Sequence, residues 1–149
     1  MSNQLSIFVD TDAFVALAVE NDANHGKALS LLNALSERPV TFFTSNYVFA
    51  ESVTVISQRA SHAAALQYIA AMQSVENPFT IERADDVIEG EAARIFKQQT
   101  SKNTSYVDCT NMAFVKHRQA EAIFSFDHGY RTNGLTLLGD LLAREKAEG

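Results

Sequence analysis

Short apolar segments alternate with longer segments of helical periodicity, and this alternation limits the fold more than any other feature of the sequence. β-Branched and aromatic residues are concentrated in the short segments, whereas apolar residues recur three or four positions apart in the longer ones. The predicted strands are 5–9, 40–43, 79–82, 122–126 and 135–138; the predicted helices are 13–19, 25–35, 61–72, 86–98 and 105–117, with others after 44–46 and from about 140. This order predicts an α/β fold, a three-layer sandwich in which a mostly parallel sheet of about five strands is covered on both faces.

No linker, internal repeat or change of composition divides the chain, so we expect a single domain over residues 1–149. The content of 46% apolar and 20% charged residues is typical of one globular core, and the lone Cys109 supports neither a disulfide framework nor a cysteine-rich zinc site. The first residues contain no basic segment, and the longest apolar runs are far shorter than the roughly 18 residues that span a bilayer. We therefore expect a cytoplasmic protein with no membrane partner.

Acidic residues stand where two of the predicted strands end. Asp10 and Asp12 follow the first strand, and Asp127 follows the strand at 122–126. Ligands of parallel α/β sheets bind beyond the carboxyl ends of the strands, so we expect these three side chains at one edge of the sheet. Each also has an ordinary structural interpretation, because Asp10 and Asp127 suit turns and Asp12 suits the N-cap of the helix that follows.

Two further acids lie on predicted helices. Asp108 is in the first turn of its helix, where it also fits a capping box with Ser105. Glu51 falls on the stripe expected to be buried, and an ionised carboxylate there needs a compensating partner. The nearest basic residue along that helix is Arg59, which is too far away for a local ion pair. Carboxylates that meet without basic partners repel each other, and a hard divalent cation, Mg²⁺ or Mn²⁺ rather than zinc, is the usual compensation.

The ordered set of acids, each beside apolar residues, resembles that of the PIN-domain ribonucleases, and most of all the small VapC-type toxins of prokaryotic toxin–antitoxin systems. The segments that carry the resemblance span nearly the whole chain: Ile7-Phe8-Val9-Asp10-Thr11-Asp12, Phe49-Ala50-Glu51, Ser105-Tyr106-Val107-Asp108 and Ile123-Phe124-Ser125-Phe126-Asp127. The resemblance implies a parallel sheet with helices on both sides. It also implies cleavage inside RNA chains by a cluster of acids that binds Mg²⁺ or Mn²⁺.

Carried over residue by residue, the resemblance makes Asp10, Glu51, Asp108 and Asp127 the catalytic and metal-binding acids. Asp12 departs from the family pattern, which often has Ser, Thr or Asn there, so it is either a further metal ligand or a helix cap. The resemblance further implies an RNA substrate, a cognate antitoxin protein as partner, and a homodimer.

The net charge of −6 excludes a simple phosphate-backbone binder, but carboxylates gathered at a cation site remain compatible with a nucleic-acid enzyme. Arg131 and Lys102 lie near the expected mouth of the site, where they either contact the RNA backbone or are solvated loop residues.

Two other functions stay open at this point. Asp10-Thr11-Asp12 after an apolar strand imitates the nucleophile loop of haloacid dehalogenase-like phosphotransferases, although Phe14 stands where that family has Thr or Val. The other alternative is a non-catalytic PIN-like binding module. The presence of all four family acids favours the enzyme.

Overall fold

The computed structural model of the chain describes residues 4–149. Its strands are β1 (Leu5–Val9), β2 (Val40–Ser45), β3 (Phe79–Glu82) and β4 (Ala122–Phe124). Its helices are α1 (Thr11–Ala18), α2 (His25–Ala34), α3 (Asn46–Arg59), α4 (His62–Gln73), α5 (Asp86–Gln98), α6 (Tyr106–Arg118), α7 (Gly129–Thr132) and α8 (Leu138–Glu148). The predicted α/β fold is confirmed, with helices flanking a parallel sheet.

The sheet has four strands in the order β3-β2-β1-β4, and every neighbouring pair is parallel. The expectation of about five strands is wrong by one. The segment 135–138 contributes only an isolated bridge between Ile123 and Leu137. It cannot extend further because the Leu135 N–H donates to the Tyr130 carbonyl and α8 already begins at Leu138.

The core is built around β1, the second strand of the described sheet from its β4 edge. Ile7, Phe8 and Val9 are all fully buried, as expected of a parallel strand covered on both faces. The Phe8 ring lies edge-on to Phe43 at 5.2 Å between centroids and stacks on Phe114 at 5.6 Å. These contacts join β1, β2 and α6 into one apolar cluster.

Local capping sets where several helices begin. Ser45 accepts a hydrogen bond from the Val48 N–H at the start of α3, and Ser105 with Asp108 forms a complete capping box at the start of α6. Asp10, rather than Asp12, is the N-cap of α1, because Asp10 has extended backbone angles and its carboxylate accepts from the Thr11 N–H. The cap interpretation of Asp12 is therefore wrong.

The strand order places a topological switch point beside β1. From β1 the chain moves to β2 and β3 on one side, and it returns at β4 on the other side. A crevice forms beyond the carboxyl ends of the strands at such a point, and this is where α/β proteins bind ligands. Among residues 4–149, none of the helices combines the length and the apolar character that crossing a bilayer requires.

Candidate active site

An acidic cleft of about 300 Å³ opens at the switch point, and the five acids predicted from the sequence all line it. We call it the acid cleft. Its charged and amide side chains are Asp10, Asp12, Asp22, Asn24, Glu51, Arg59, Asp108 and Asp127. The carboxylates come from the end of β1, the first turns of α1 and α6, the middle of α3, and the loops after α1 and β4.

Asp10 lies at the buried end of the cleft, with 6% of its surface exposed. Its Oδ1 accepts hydrogen bonds from the Thr11 N–H (2.7 Å) and from Asn111 Nδ2 (2.9 Å). Its Oδ2 accepts from the hydroxyls of Tyr130 (2.8 Å) and Ser125 (3.3 Å). Burial raises the pKa of Asp10 from its ordinary value of 3.8 to about 8, and the nearby charge of Asp12 adds to the shift.

Asp12 ties the first turn of α1 to the loop after β4. Its Oδ2 accepts from the Phe126 N–H at 2.8 Å and from the Ser125 hydroxyl at 3.1 Å. Its Oδ1 is buried without a hydrogen-bond partner in the described residues. Burial raises the pKa of Asp12 to about 6.

Asp108 serves two roles at once. Its Oδ2 accepts from the Ser105 N–H at 3.0 Å, which completes the capping box of α6, and its Oδ1 accepts from the Tyr130 hydroxyl at 3.2 Å. The structural interpretation of this residue is thus correct, and it does not exclude a role in the site, because the two oxygens face different partners.

Glu51 is exposed, so the expectation that it lies on the buried stripe of its helix is wrong. The buried residues of α3 are Val48, Ser52 and Ile56, which are spaced four apart. Glu51 directly precedes Ser52 in the sequence, so its side chain points about 100° away from the buried face of the helix. Glu51 nevertheless lines the acid cleft, from the exposed side of α3.

Asp127 lies in the exposed loop beyond β4, because that strand ends at Phe124 and not at 126. Its Oδ1 accepts from the Gly129 N–H at 2.8 Å, which is the turn predicted from Asp-His-Gly. A Cβ at position 129 would lie only 3.1 Å from this oxygen, so glycine permits the close approach.

Asn111 and Tyr130 are part of the site and were not among the predicted residues. Both side chains are buried, and Asn111 Nδ2 donates to the Tyr130 hydroxyl at 2.9 Å as well as to Asp10. The signal in the sequence was an amide one helical turn after Asp108, within the otherwise apolar run of α6. Tyr130 offered no such signal, since an aromatic residue after a turn is most often core.

The cleft also contains Asp22 and Arg59, which were not assigned to the site from the sequence. Arg59 Nη1 contacts Asp22 Oδ2 at 2.6 Å. Asp22 Oδ1 also accepts from the Asn24 N–H at 2.8 Å, which fixes the loop between α1 and α2.

The side chains that line the acid cleft have the donor chemistry that a divalent cation prefers. Acids outnumber basic groups in the cleft six to one, and the Asp12 Oδ1 atom is buried with no donor to neutralise it. The raised pKa values of Asp10 and Asp12 show that burial disfavours their charged forms, a penalty that a bound cation offsets. Within residues 4–149, no group of three or more His, Cys, Asp or Glu side chains already stands in a geometry that could hold a metal ion, and several of the cleft oxygens accept hydrogen bonds from the protein.

The fold and the cleft agree with the comparison to known families. The PIN domain model matches residues 7–134, and the chain belongs to this family.

Individual proteins also resemble this chain in sequence and in structure. The chain is 29% identical to the 23S rRNA-specific endonuclease VapC20 of Mycobacterium tuberculosis over 128 residues, which cover 86% of this chain and 94% of that protein. The crystal structure of VapC20, described as a sarcin–ricin loop cleaving toxin, superimposes with a TM-score of 0.78 at 28% identity, covering 87% of this chain and 96% of that one. FitAcB from Neisseria gonorrhoeae shares the fold, with a TM-score of 0.65 at 17% identity over 88% and 95% of the two chains.

Proposed function

We propose that this chain is a Mg²⁺- or Mn²⁺-dependent endoribonuclease that acts as the toxin of a toxin–antitoxin pair, with residues 1–149 forming one PIN-like domain. The observation that carries the proposal is the acid cleft at the switch point, where separate segments of the chain bring together carboxylates, and where one buried carboxylate oxygen, Asp12 Oδ1, has no partner in the described residues. Membership of the PIN family supports the nuclease and gives the haloacid dehalogenase alternative no support.

We assign metal binding to Asp10, Glu51, Asp108 and Asp127, with Asp12 as a fifth ligand through its unpartnered Oδ1. A bound divalent ion would supply an activated water and charge stabilisation at the phosphate. The protein positions the ligands. Asp10 is held by four donors, one from its neighbour Thr11 and three from α6, the loop after β4 and α7, and Asp108 is fixed at the start of α6. The exposed acids, Glu51 and Asp127, stand at the solvent side, where a strand of RNA enters.

The proposed substrate is a loop of the large ribosomal RNA. VapC20 is named as specific for 23S rRNA and described as cleaving the sarcin–ricin loop, and that protein and this chain match over most of both lengths. A folded RNA loop presents unpaired bases, which proteins recognise in RNA more readily than the regular helix. We also propose a cognate antitoxin protein as partner, a homodimeric assembly, and action in the cytoplasm, all of which remain predictions from the family.

The test is cleavage of an RNA hairpin containing the sarcin–ricin loop, and of total RNA, with Mg²⁺, Mn²⁺ or EDTA. Asp10→Asn is the inactive variant, and Asp86→Asn, an exposed acid in the first turn of α5, is the matched control. We expect discrete fragments from the wild type and from Asp86→Asn, and none from Asp10→Asn or in EDTA. Calorimetric titration with Mn²⁺ should show binding that the Asp10 change weakens.

Absence of cleavage by folded, antitoxin-free protein under every metal condition would refute the nuclease and favour the non-catalytic module. Cleavage that persists equally in EDTA and in Asp10→Asn would refute the assigned metal-dependent chemistry.

A further inference from the structure

Arg59 is an unusual occupant of the acid cleft. Among the cleft-lining side chains of the described chain, it alone is basic, and it stands with six carboxylates. It is the last residue of α3, and 46% of its side chain is exposed. A cation at this position is therefore open to solvent and to whatever enters the cleft.

The guanidinium is held from one side only. Arg59 Nη1 donates a hydrogen bond to Asp22 Oδ2. The Asp22 side chain is only 12% exposed, and its other oxygen accepts a hydrogen bond from the Asn24 N–H. Within residues 4–149, Nη2 and Nε of Arg59 make no hydrogen bond. Asp22 thus orients the arginine and leaves two of its donor nitrogens available, and the planar donor fork of arginine suits a phosphate.

The helix places Arg59 at a defined distance from the proposed catalytic acids. Glu51, Val55 and Arg59 are four residues apart, so they share the face of α3 that lines the cleft. Eight residues of helix correspond to about 12 Å along the axis. Glu51 therefore lies at the end of the acid cleft that contains the proposed catalytic acids, and Arg59 lies at the opposite end, about two helical turns further along α3.

A purely structural role accounts poorly for this arrangement. An ion pair whose arginine side chain is 46% exposed adds little to stability, and the neighbouring carboxylates of the cleft already attract solvent cations. For an RNA strand the same carboxylates are repulsive, and a fixed positive group at the mouth gives the backbone a place to bind.

We propose that Arg59 binds a phosphate of the RNA strand that lies next to the phosphate being cleaved, and that Asp22 orients it for this contact. The proposal rests on the nuclease function proposed above. It makes Arg59 a substrate-binding residue that contributes to affinity, and it makes the acid cleft a two-part site with acids at one end and a phosphate contact at the other.

The experiment measures the affinity of the full chain for a fluorescently labelled sarcin–ricin loop hairpin by anisotropy, at several salt concentrations. The variants are made in the Asp10→Asn background so that the RNA stays intact. Arg59→Ala removes the proposed contact, Arg59→Lys keeps the charge, and Asp22→Asn removes the ion pair while keeping the arginine. Arg94→Ala is the matched control, because Arg94 is also an exposed helical arginine paired with one acid, Glu91.

We expect Arg59→Ala to weaken binding about 3- to 10-fold and to reduce the slope of log affinity against log salt by about one, the signature of one lost phosphate contact. Arg59→Lys should recover most of that slope. Asp22→Asn should weaken binding less than Arg59→Ala does and should keep the salt slope of the parent, because Arg59 loses its orienting partner but keeps its charge. In the cleavage-competent chain, Arg59→Ala should raise KM and leave kcat within about twofold.

Equal affinities and salt slopes for Arg59→Ala and Arg94→Ala would overturn the proposal. So would equal losses of RNA affinity in Arg59→Ala and Asp22→Asn, since that pattern identifies the ion pair as a structural contact. Failure of the unsubstituted chain both to bind and to cleave RNA refutes the proposed function itself, and thermal melting of each variant separates these outcomes from a loss of folding.

Discussion

Tyr130→Phe tests whether the hydroxyl of one buried tyrosine sets the spacing of two acids in the cleft. The hydroxyl proton is shared between Asp10 Oδ2 at 2.8 Å and Asp108 Oδ1 at 3.2 Å, and the hydroxyl oxygen accepts from Asn111 Nδ2 at 2.9 Å. The ring is buried, with 1% of the residue exposed, so phenylalanine keeps the packing and removes only the polar links.

The magnitude follows from those links. A hydrogen bond contributes about 0.5–1.5 kcal/mol between neutral groups and about 1.5–3 kcal/mol to a charged group. The Tyr130 hydroxyl takes part in three, although one proton serves two carboxyl groups and Asn111 keeps its own bond to Asp10. We expect a loss of about 2 kcal/mol in the free energy of unfolding. For a chain of this size that loss lowers the thermal midpoint by roughly 4–8 °C. Residues that orient metal ligands typically change metal affinity or activity about 10- to 100-fold when replaced, and we expect Mn²⁺ affinity to fall within that range.

The assay combines thermal unfolding in EDTA with calorimetric titration of Mn²⁺. The control is Tyr68→Phe, which removes another buried tyrosine hydroxyl, one that lies beside Ser52 but makes no hydrogen bond of good geometry. We expect that control to change the midpoint by less than about 2 °C and to leave metal affinity unaltered. Tyr130→Phe with the same Mn²⁺ affinity as Tyr68→Phe would refute the positioning argument, whatever its effect on stability.

Two further predictions concern stability. The metal-free protein should become less stable as pH rises from about 4 to about 8. The pKa of Asp10 is about 8 in the folded chain and 3.8 ordinarily, so the folded state binds the Asp10 proton more tightly than the unfolded state does. This contribution to stability is lost as the pH rises through the folded pKa and Asp10 loses its proton. Thermal midpoints in EDTA should show this fall, Mn²⁺ should reduce it at pH 8, and a flat profile in the wild type would contradict the burial argument. Phe8→Ala should cost about 3–5 kcal/mol, because the fully buried ring contacts Phe43 and Phe114. A denaturant titration that shows a loss under about 1 kcal/mol would mean that the cluster around β1 relaxes to fill the space.

Much of the architecture was predictable from the sequence because its causes are local. Strand and helix periodicity act over a few residues, and the helices 25–35 and 86–98 were predicted within a residue or two of α2 and α5. Capping chemistry is equally short in range. Ser105 marks the start of α6 in the sequence as it does in the structure, and Ser45, the cap of α3, is one of the residues 44–46 after which a helix was predicted. The order of these elements was sufficient for the fold class and for the edge of the sheet at which the acids lie.

The sequence-based predictions were wrong where a local pattern was used to infer a feature that depends on tertiary structure. Glu51 was placed on a buried stripe because a helix face can be located only to within about one residue from periodicity, and one residue is a rotation of about 100°. The segment 135–138 has strand composition, but hydrogen bonds from neighbouring elements decided that it forms only a bridge. Asp12 fits a cap by its composition, whereas the backbone angles gave that position to Asp10.

The sequence by itself determined the alternation of strands and helices, and with it the position of acidic residues at the carboxyl edge of a parallel sheet. Only the tertiary structure decided which groups surround those acids. Tyr130 and Asn111 reach Asp10 from 120 and 101 residues away, and Arg59 reaches Asp22 across 37. Such contacts depend on how strands are ordered and helices packed, and the free energy that sets this packing is spread over the whole core rather than carried by any short segment.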